Sequence, residues 1–161
     1  MSVVLDIARA YRAPVTVFRR RLGGAPREDR ALVTLMLACG LIFVSQLPVR
    51  QCEAFETGGD FQMLAGATLF AWLFVMPLLA YGFGSLTHAT ARLFGGRGTG
   101  YGARFALFWA LLVASPLWLF WGLTRGFVGP GLEERAVGLV ALLAFLVHWS
   151  LNLWAAERGP K

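Results

Sequence analysis

The chain has 161 residues; 57% are hydrophobic, 15% are charged, and the formal net charge is +6. A soluble domain of this length has too little interior to hide so much apolar surface, because burial is limited by surface-to-volume scaling. The placing of the positive charge excludes a nucleic-acid partner: the arginines flank apolar runs instead of forming one basic face.

The first element predicted is Val3–Leu22. Val4, Ile7, Ala8, Tyr11, Val15 and Phe18 recur at spacings of three and four, with Arg9, Arg12, Arg19 and Arg20 elsewhere. That pattern is an amphipathic helix, broken or restarted at Pro14. An arginine-rich face opposite an apolar one suits the headgroup layer of an anionic leaflet. The alternative is a helix docked on the protein's own surface. No apolar h-region of a signal peptide precedes Ala31. Residues 23–30 form a polar hinge, and Glu28 and Asp29 favour a helix N-terminus there. Residues 1–30 are therefore read as a cytoplasmic amphipathic segment and hinge.

Four apolar runs without a charged residue follow, at about 31–49, 61–91, 105–124 and 136–156. About 20 such residues let a helix cross roughly 30 Å of hydrocarbon. The fold class expected is an all-α membrane protein: a four-transmembrane-helix bundle over residues 31–156, with an N-terminal amphipathic interfacial helix and a short tail at 157–161. The first run is expected to stop near Pro48. The second is longer than a bilayer needs, so a kink is placed at Pro77, and a second at Pro116 in the third run. Arg92, Arg97 and Arg104 border one loop and the N-terminal arginines lie before the first run, whereas the other two loops are acidic or balanced. By the positive-inside pattern both termini and the Phe94–Arg104 loop are cytoplasmic.

Few residues carry chemistry. Cys39 and Cys52 are too far apart for an internal disulfide, and there is no metal-ligand spacing. The Gly95–Gly102 run lacks the lysine and the strand of a P-loop. It reads as a helix C-cap and turn whose amides, with Arg97 and Arg104, would suit a lipid phosphate. Ser85, His88, Ser115 and His148 suggest a hydrolase, but Ser85 and His148 fall at different depths. Ser115 precedes a helix proline, where it serves a freed carbonyl of its own helix. His148 and Asn152 are four apart and share one helix face. They are expected to turn inward and bond across helices, with a proton or substrate site as the sharper alternative.

The order of these features resembles the Yip1 family of small multi-pass membrane proteins. The residues that carry the resemblance are Ala13-Pro14-Val15-Thr16-Val17-Phe18, the helix end Ala91-Arg92-Leu93-Phe94-Gly95-Gly96-Arg97-Gly98, and Ala114-Ser115-Pro116. The run covers about a third of the chain. Many family members have five spans, and this chain has four. The arginine-rich, lysine-poor composition looks bacterial. The resemblance implies a membrane protein without catalytic residues. Eukaryotic relatives bind Rab-type GTPases, partners that a bacterium lacks.

The function expected is a non-enzymatic inner-membrane protein without a cofactor, organising anionic lipid or partner proteins through a basic cytoplasmic face. The residues expected to make those contacts are Arg19, Arg20, Arg21, Arg92, Arg97 and Arg104. The alternatives are a small-molecule transporter or channel, for which broken helices and the His148–Asn152 pair speak, and an accessory subunit of a larger membrane complex.

Overall fold

The computed structural model describes residues 2–23 and 25–158. Gly24 of the expected hinge and the expected tail beyond Arg158 lie outside the described residues. The chain forms α1 (Val3–Ala10), α2 (Pro14–Leu22), α3 (Glu28–Thr57), α4 (Phe61–Phe70), a π-helical turn (Ala71–Val75), α5 (Met76–Leu93), α6 (Gly100–Phe127) and α7 (Leu132–Glu157), with no strand among the described residues.

Four helical units are long and apolar enough to cross a bilayer: α3, the continuous α4–α5 rod, α6 and α7, of 30, 33, 28 and 26 residues. Their bounds exceed the charge-free runs at almost every end. The largest difference is at Pro48. The first helix does not stop there but runs to Thr57, where Gly58 (φ +65°) caps it. A proline is tolerated inside a helix when packing holds the helix on both sides of it. Here Gly126 of α6 brings its backbone against the Pro48 ring and main chain. In the second rod the irregular turn falls just before Pro77, where π geometry re-routes hydrogen bonds: the Met76 N–H donates to Ala71 O. Pro116 sits inside an unbroken α6.

The rods alternate in direction, so the start of α3 and the end of α7 share one end of the bundle. Arg104 pairs with Glu28 there, and the Arg97 N–H donates to Glu157 O. At the far end the Trp121 indole donates to Glu134 at 3.0 Å, and the Cys52 thiol to Gly126 O at 2.9 Å. Both cysteines are free thiols.

Helix α6 is the hub, the most buried of the four rods. Phe105, Phe108, Trp109, Leu112 and Val113 are all 2% exposed or less. Small residues let its neighbours approach. Gly122 lies so close to α3 that a methyl on it would overlap the Ser45 carbonyl oxygen; Gly102 faces Ala156 of α7.

Helices α1 and α2 form a hairpin that restarts at Pro14, the first residue of α2. It packs on α6 and α7: Phe18 is fully buried with its ring 6.0 Å from Phe105, and Val17 is buried beside it. At the hairpin's turn the Tyr11 hydroxyl donates to Val113 O at 2.8 Å. Val113 lies about 13 Å along α6 from Arg104. Phe18 and Val17 are thus spent on the protein itself, whereas Val4, Leu5 and Tyr11 stay exposed, at 73%, 55% and 45%.

Candidate functional site

The shared end of the bundle gathers most of the charged side chains. Asp6 of α1 is 1% exposed, and its carboxylate takes hydrogen bonds from Arg20 and from Arg21 (Nε to Oδ2, 2.8 Å). A carboxylate this buried is stable only when paired, and the two arginines that pair it also close the α1–α2 hairpin. The Arg21 guanidinium continues over the Trp109 ring, 5.3 Å from its centroid.

Arg104 is equally committed. It pairs with Glu28, sits 3.5 Å from the Ser85 hydroxyl and lies 6.0 Å from the Tyr81 ring centroid. The six arginines singled out in the sequence therefore divide. Arg20, Arg21 and Arg104 bind the protein's own carboxylates. Arg19, Arg92 and Arg97 are exposed, with no ion-pair partner among the described residues.

The glycine loop has an occupant, and it is not a phosphate. Gly95 takes a left-handed turn (φ +85°) that ends α5. The loop then wraps the C-terminus of α7. The Gly98 N–H donates to Glu157 Oε2 at 3.1 Å, the Arg97 N–H to Glu157 O at 2.9 Å, and His88 Nδ1 lies 2.9 Å from Glu157 Oε1. Side chains are forbidden at two points: a Cβ on Gly96 would lie 2.5 Å from Glu157 Oε2, and one on Gly98 the same distance from Ala156 O. The expectation that these amides join Arg97 and Arg104 around one anion is corrected, because Glu157 fills the cradle and Arg104 turns to Glu28.

The serines serve their own helices. Ser85 donates to Tyr81 O and Ser115 to Leu112 O, each at 2.8 Å. Leu112 O is the carbonyl that Pro116, four residues on, leaves without a backbone donor.

His148 and Asn152 do share a buried face, at 6% and 0% exposed. Their expected bonds across helices are absent among the described residues. His148 Nδ1 lies 2.8 Å from Ala144 O in its own helix, while His148 Nε2 and both amide atoms of Asn152 have no partner. The Tyr11 ring packs edge-on against the imidazole, centroids 5.0 Å apart, so the hairpin covers the pair.

On the opposite side of α6, α5 and α7 leave an apolar groove of about 650 Å³, lined by residues such as Met76, Leu79, Leu111, Trp118 and Phe145. Among the described residues no three His, Cys, Asp or Glu side chains gather as a metal ion would require.

Sequence reasoning missed Asp6, Glu157 and Trp109. Asp6 carried a signal, as the sole acid before Glu28 in an arginine-rich segment. Glu157 carried none, since its side-chain partners His88 and Gly98 are 69 and 59 residues away in the chain. In comparisons with known proteins the chain matches no family model, no curated protein and no solved structure.

Proposed function

We propose that this chain is a non-enzymatic, multi-pass protein of a bacterial inner membrane, Yip1-like in type, with both termini cytoplasmic. Through the shared end of its bundle it gathers anionic headgroups or acidic partner proteins. The observation that carries the reading is the set of exposed guanidinium groups of Arg19, Arg92 and Arg97, which have no partner among the described residues. The ends of the four apolar rods supply the plane in which a leaflet would meet them. Arg20, Arg21 and Arg104 hold the scaffold in place and are no longer assigned to the contact. Of the hairpin's outward arginines only Arg19, near the end of α2, belongs to that surface; Arg12 flanks the turn that reaches Val113, toward the middle of the bundle.

Each basic residue near an anionic leaflet contributes on the order of 1 kcal/mol. Replacing Arg19, Arg92 and Arg97 by Gln should therefore weaken co-sedimentation of detergent-solubilised protein with phosphatidylglycerol-rich nanodiscs by about 100-fold at low salt. Neutral nanodiscs should show no change. Equal retention of the triple variant and the parent on anionic discs would discard the lipid-binding version.

An accessory subunit of a larger membrane complex is the second reading. The groove between α5 and α7 favours it, because a partner's transmembrane helix could lay an apolar side chain there. Co-purification in mild detergent separates the two readings. The transporter alternative draws less support, since the hairpin shuts off the polar pair that would line a path.

A further inference from the structure

The corner where α2, α6 and α7 meet holds polar atoms that the protein's own hydrogen bonds leave unmatched. His148 Nδ1 faces the Ala144 carbonyl at 2.8 Å. A carbonyl oxygen only accepts, so Nδ1 carries a proton, and in the neutral imidazole Nε2 is then a bare lone pair. That nitrogen is buried without a partner. One turn on, Asn152 is wholly buried, and its amide nitrogen and oxygen are both unmatched. On α6, Trp109 is 1% exposed and its indole N–H has no acceptor.

The helix register brings these atoms to one level. Helices α6 and α7 run antiparallel, with Gly102 beside Ala156 and Gly138 against Trp121. At that register Trp109 lies opposite the turn of α7 between His148 and Asn152. Gly102, Trp109 and Val113 share one face of α6 at helical spacing. Gly102 touches α7 and Val113 O receives the Tyr11 hydroxyl, so Trp109 looks into the same corner. The α1–α2 hairpin closes it, with Tyr11 over His148 and Arg21 over the Trp109 ring.

We propose that this corner is a binding site for water. The chemistry selects the ligand. Two acceptors, His148 Nε2 and Asn152 Oδ1, stand with two kinds of donor, the indole N–H and the amide NH₂. A cation would need several oxygen ligands and would face the Arg21 guanidinium over the Trp109 ring, and an anion would face the His148 and Asn152 acceptors, whereas a small neutral molecule that both donates and accepts suits all four atoms. Buried polar groups that lack protein partners are commonly bridged this way, each water using roughly three of them. The polar pair thus bonds across the α6–α7 seam after all, through solvent sealed in by an amphipathic hairpin. The inference does not depend on what the exposed arginines bind.

The test uses the two histidines. In the His88→Gln protein His148 is the sole histidine. ¹⁵N-histidine labelling and solid-state NMR in bilayers should show a neutral imidazole protonated at Nδ1. Its Nε2 should carry a shift typical of a hydrogen-bonded imine nitrogen and should receive magnetisation from water protons. Asn152→Leu, which removes two of the four polar atoms and fills space, should abolish that transfer. A free-imine shift with no transfer from water in the His88→Gln protein overturns the proposal, as does a proton found on Nε2. That measurement decides the matter even if the leucine variant does not fold. The nanodisc-binding result for the arginines would stand or fall separately.

Discussion

His88 Nδ1 and Glu157 Oε1 meet at 2.9 Å and tie the end of α5 to the last residue of α7. The same side chain accepts from the Gly98 N–H, and its main-chain oxygen accepts from the Arg97 N–H. One residue thus joins the end of α5 and the glycine loop to α7, and two of the arginines proposed to meet a membrane, Arg92 and Arg97, are mounted on that fixture. Glu157→Ala strands His88 and the Gly98 amide, each at about 1–3 kcal/mol if no water replaces the lost partner. The expected result is faster tryptic cleavage after Arg97 and a lower melting temperature in detergent. Glu157→Gln should fall between parent and Ala, because an amide oxygen still accepts from Gly98.

Gly98→Ala should free the same loop by another route. Its methyl would sit 2.5 Å from Ala156 O and 2.9 Å from Glu157 Cα, both rigid atoms. Cleavage after Arg97 should rise as in Glu157→Ala, although the carboxylate is intact. Unchanged cleavage would mean that the loop does not depend on close approach to α7.

The seam between α3 and α6 rests on two glycines. A methyl on Gly122 overlaps the Ser45 carbonyl, and one on Gly126 overlaps Pro48. Neither neighbour is a flexible side-chain tip, so Gly122→Ala must part the helices, at a cost of about 1–3 kcal/mol or more. Gly40, in α3, has open space around its would-be Cβ. Gly40→Ala should be neutral or stabilising, since alanine is the better helix former by about 1 kcal/mol. Melting temperatures of the two variants in one detergent should move in opposite directions.

The rods were legible because hydrocarbon imposes a simple rule: long, charge-free and apolar. The span expected from Phe61 to Ala91 and the observed rod to Leu93 differ by two residues at one end. Pro48 was misread as a stop because the rule ignores neighbours, and only Gly126 explains why the helix continues. The GxxxG spacing of Gly122 and Gly126 was available in the sequence as a close-packing signal, but it does not name the helix that answers it. The site was less legible for the same reason. Six arginines of similar appearance divide into scaffold and surface according to whether Asp6 or Glu28 reaches them, and those pairings are tertiary.

Asp6 ties α1 to α2 through Arg20 and Arg21, and the Arg21 side chain lies over Trp109. The Asp6 side chain is 2% exposed and the Arg21 side chain 21%, so both lose water on docking and depend on each other. Breaking a buried pair by removing one partner costs about 3–5 kcal/mol, and less here because the Arg20 side chain remains 42% exposed. Asp6→Ala should raise amide hydrogen exchange across Val3–Leu22 and leave α6 protected. Exchange unchanged in the hairpin would show that Phe18 and Val17 hold it without the carboxylate.

Ser115 and Pro116 should behave as a coupled pair. Pro116 lacks the N–H that would bond Leu112 O, and the Ser115 hydroxyl donates to that oxygen instead at 2.8 Å, in a site 0% exposed. Ser115→Ala alone leaves a buried carbonyl without a donor and should cost about 1–3 kcal/mol. Pro116→Ala restores the backbone N–H, so the carbonyl no longer needs the serine. In that background Ser115→Ala should cost well under 1 kcal/mol, giving a coupling of about 1–2 kcal/mol in the double-mutant cycle. Additive losses in the two backgrounds would assign Ser115 some other partner. Near-equal coupling and single-mutant cost would identify the serine as the proline's local replacement donor, which is how α6 runs unbroken through the middle of the bundle.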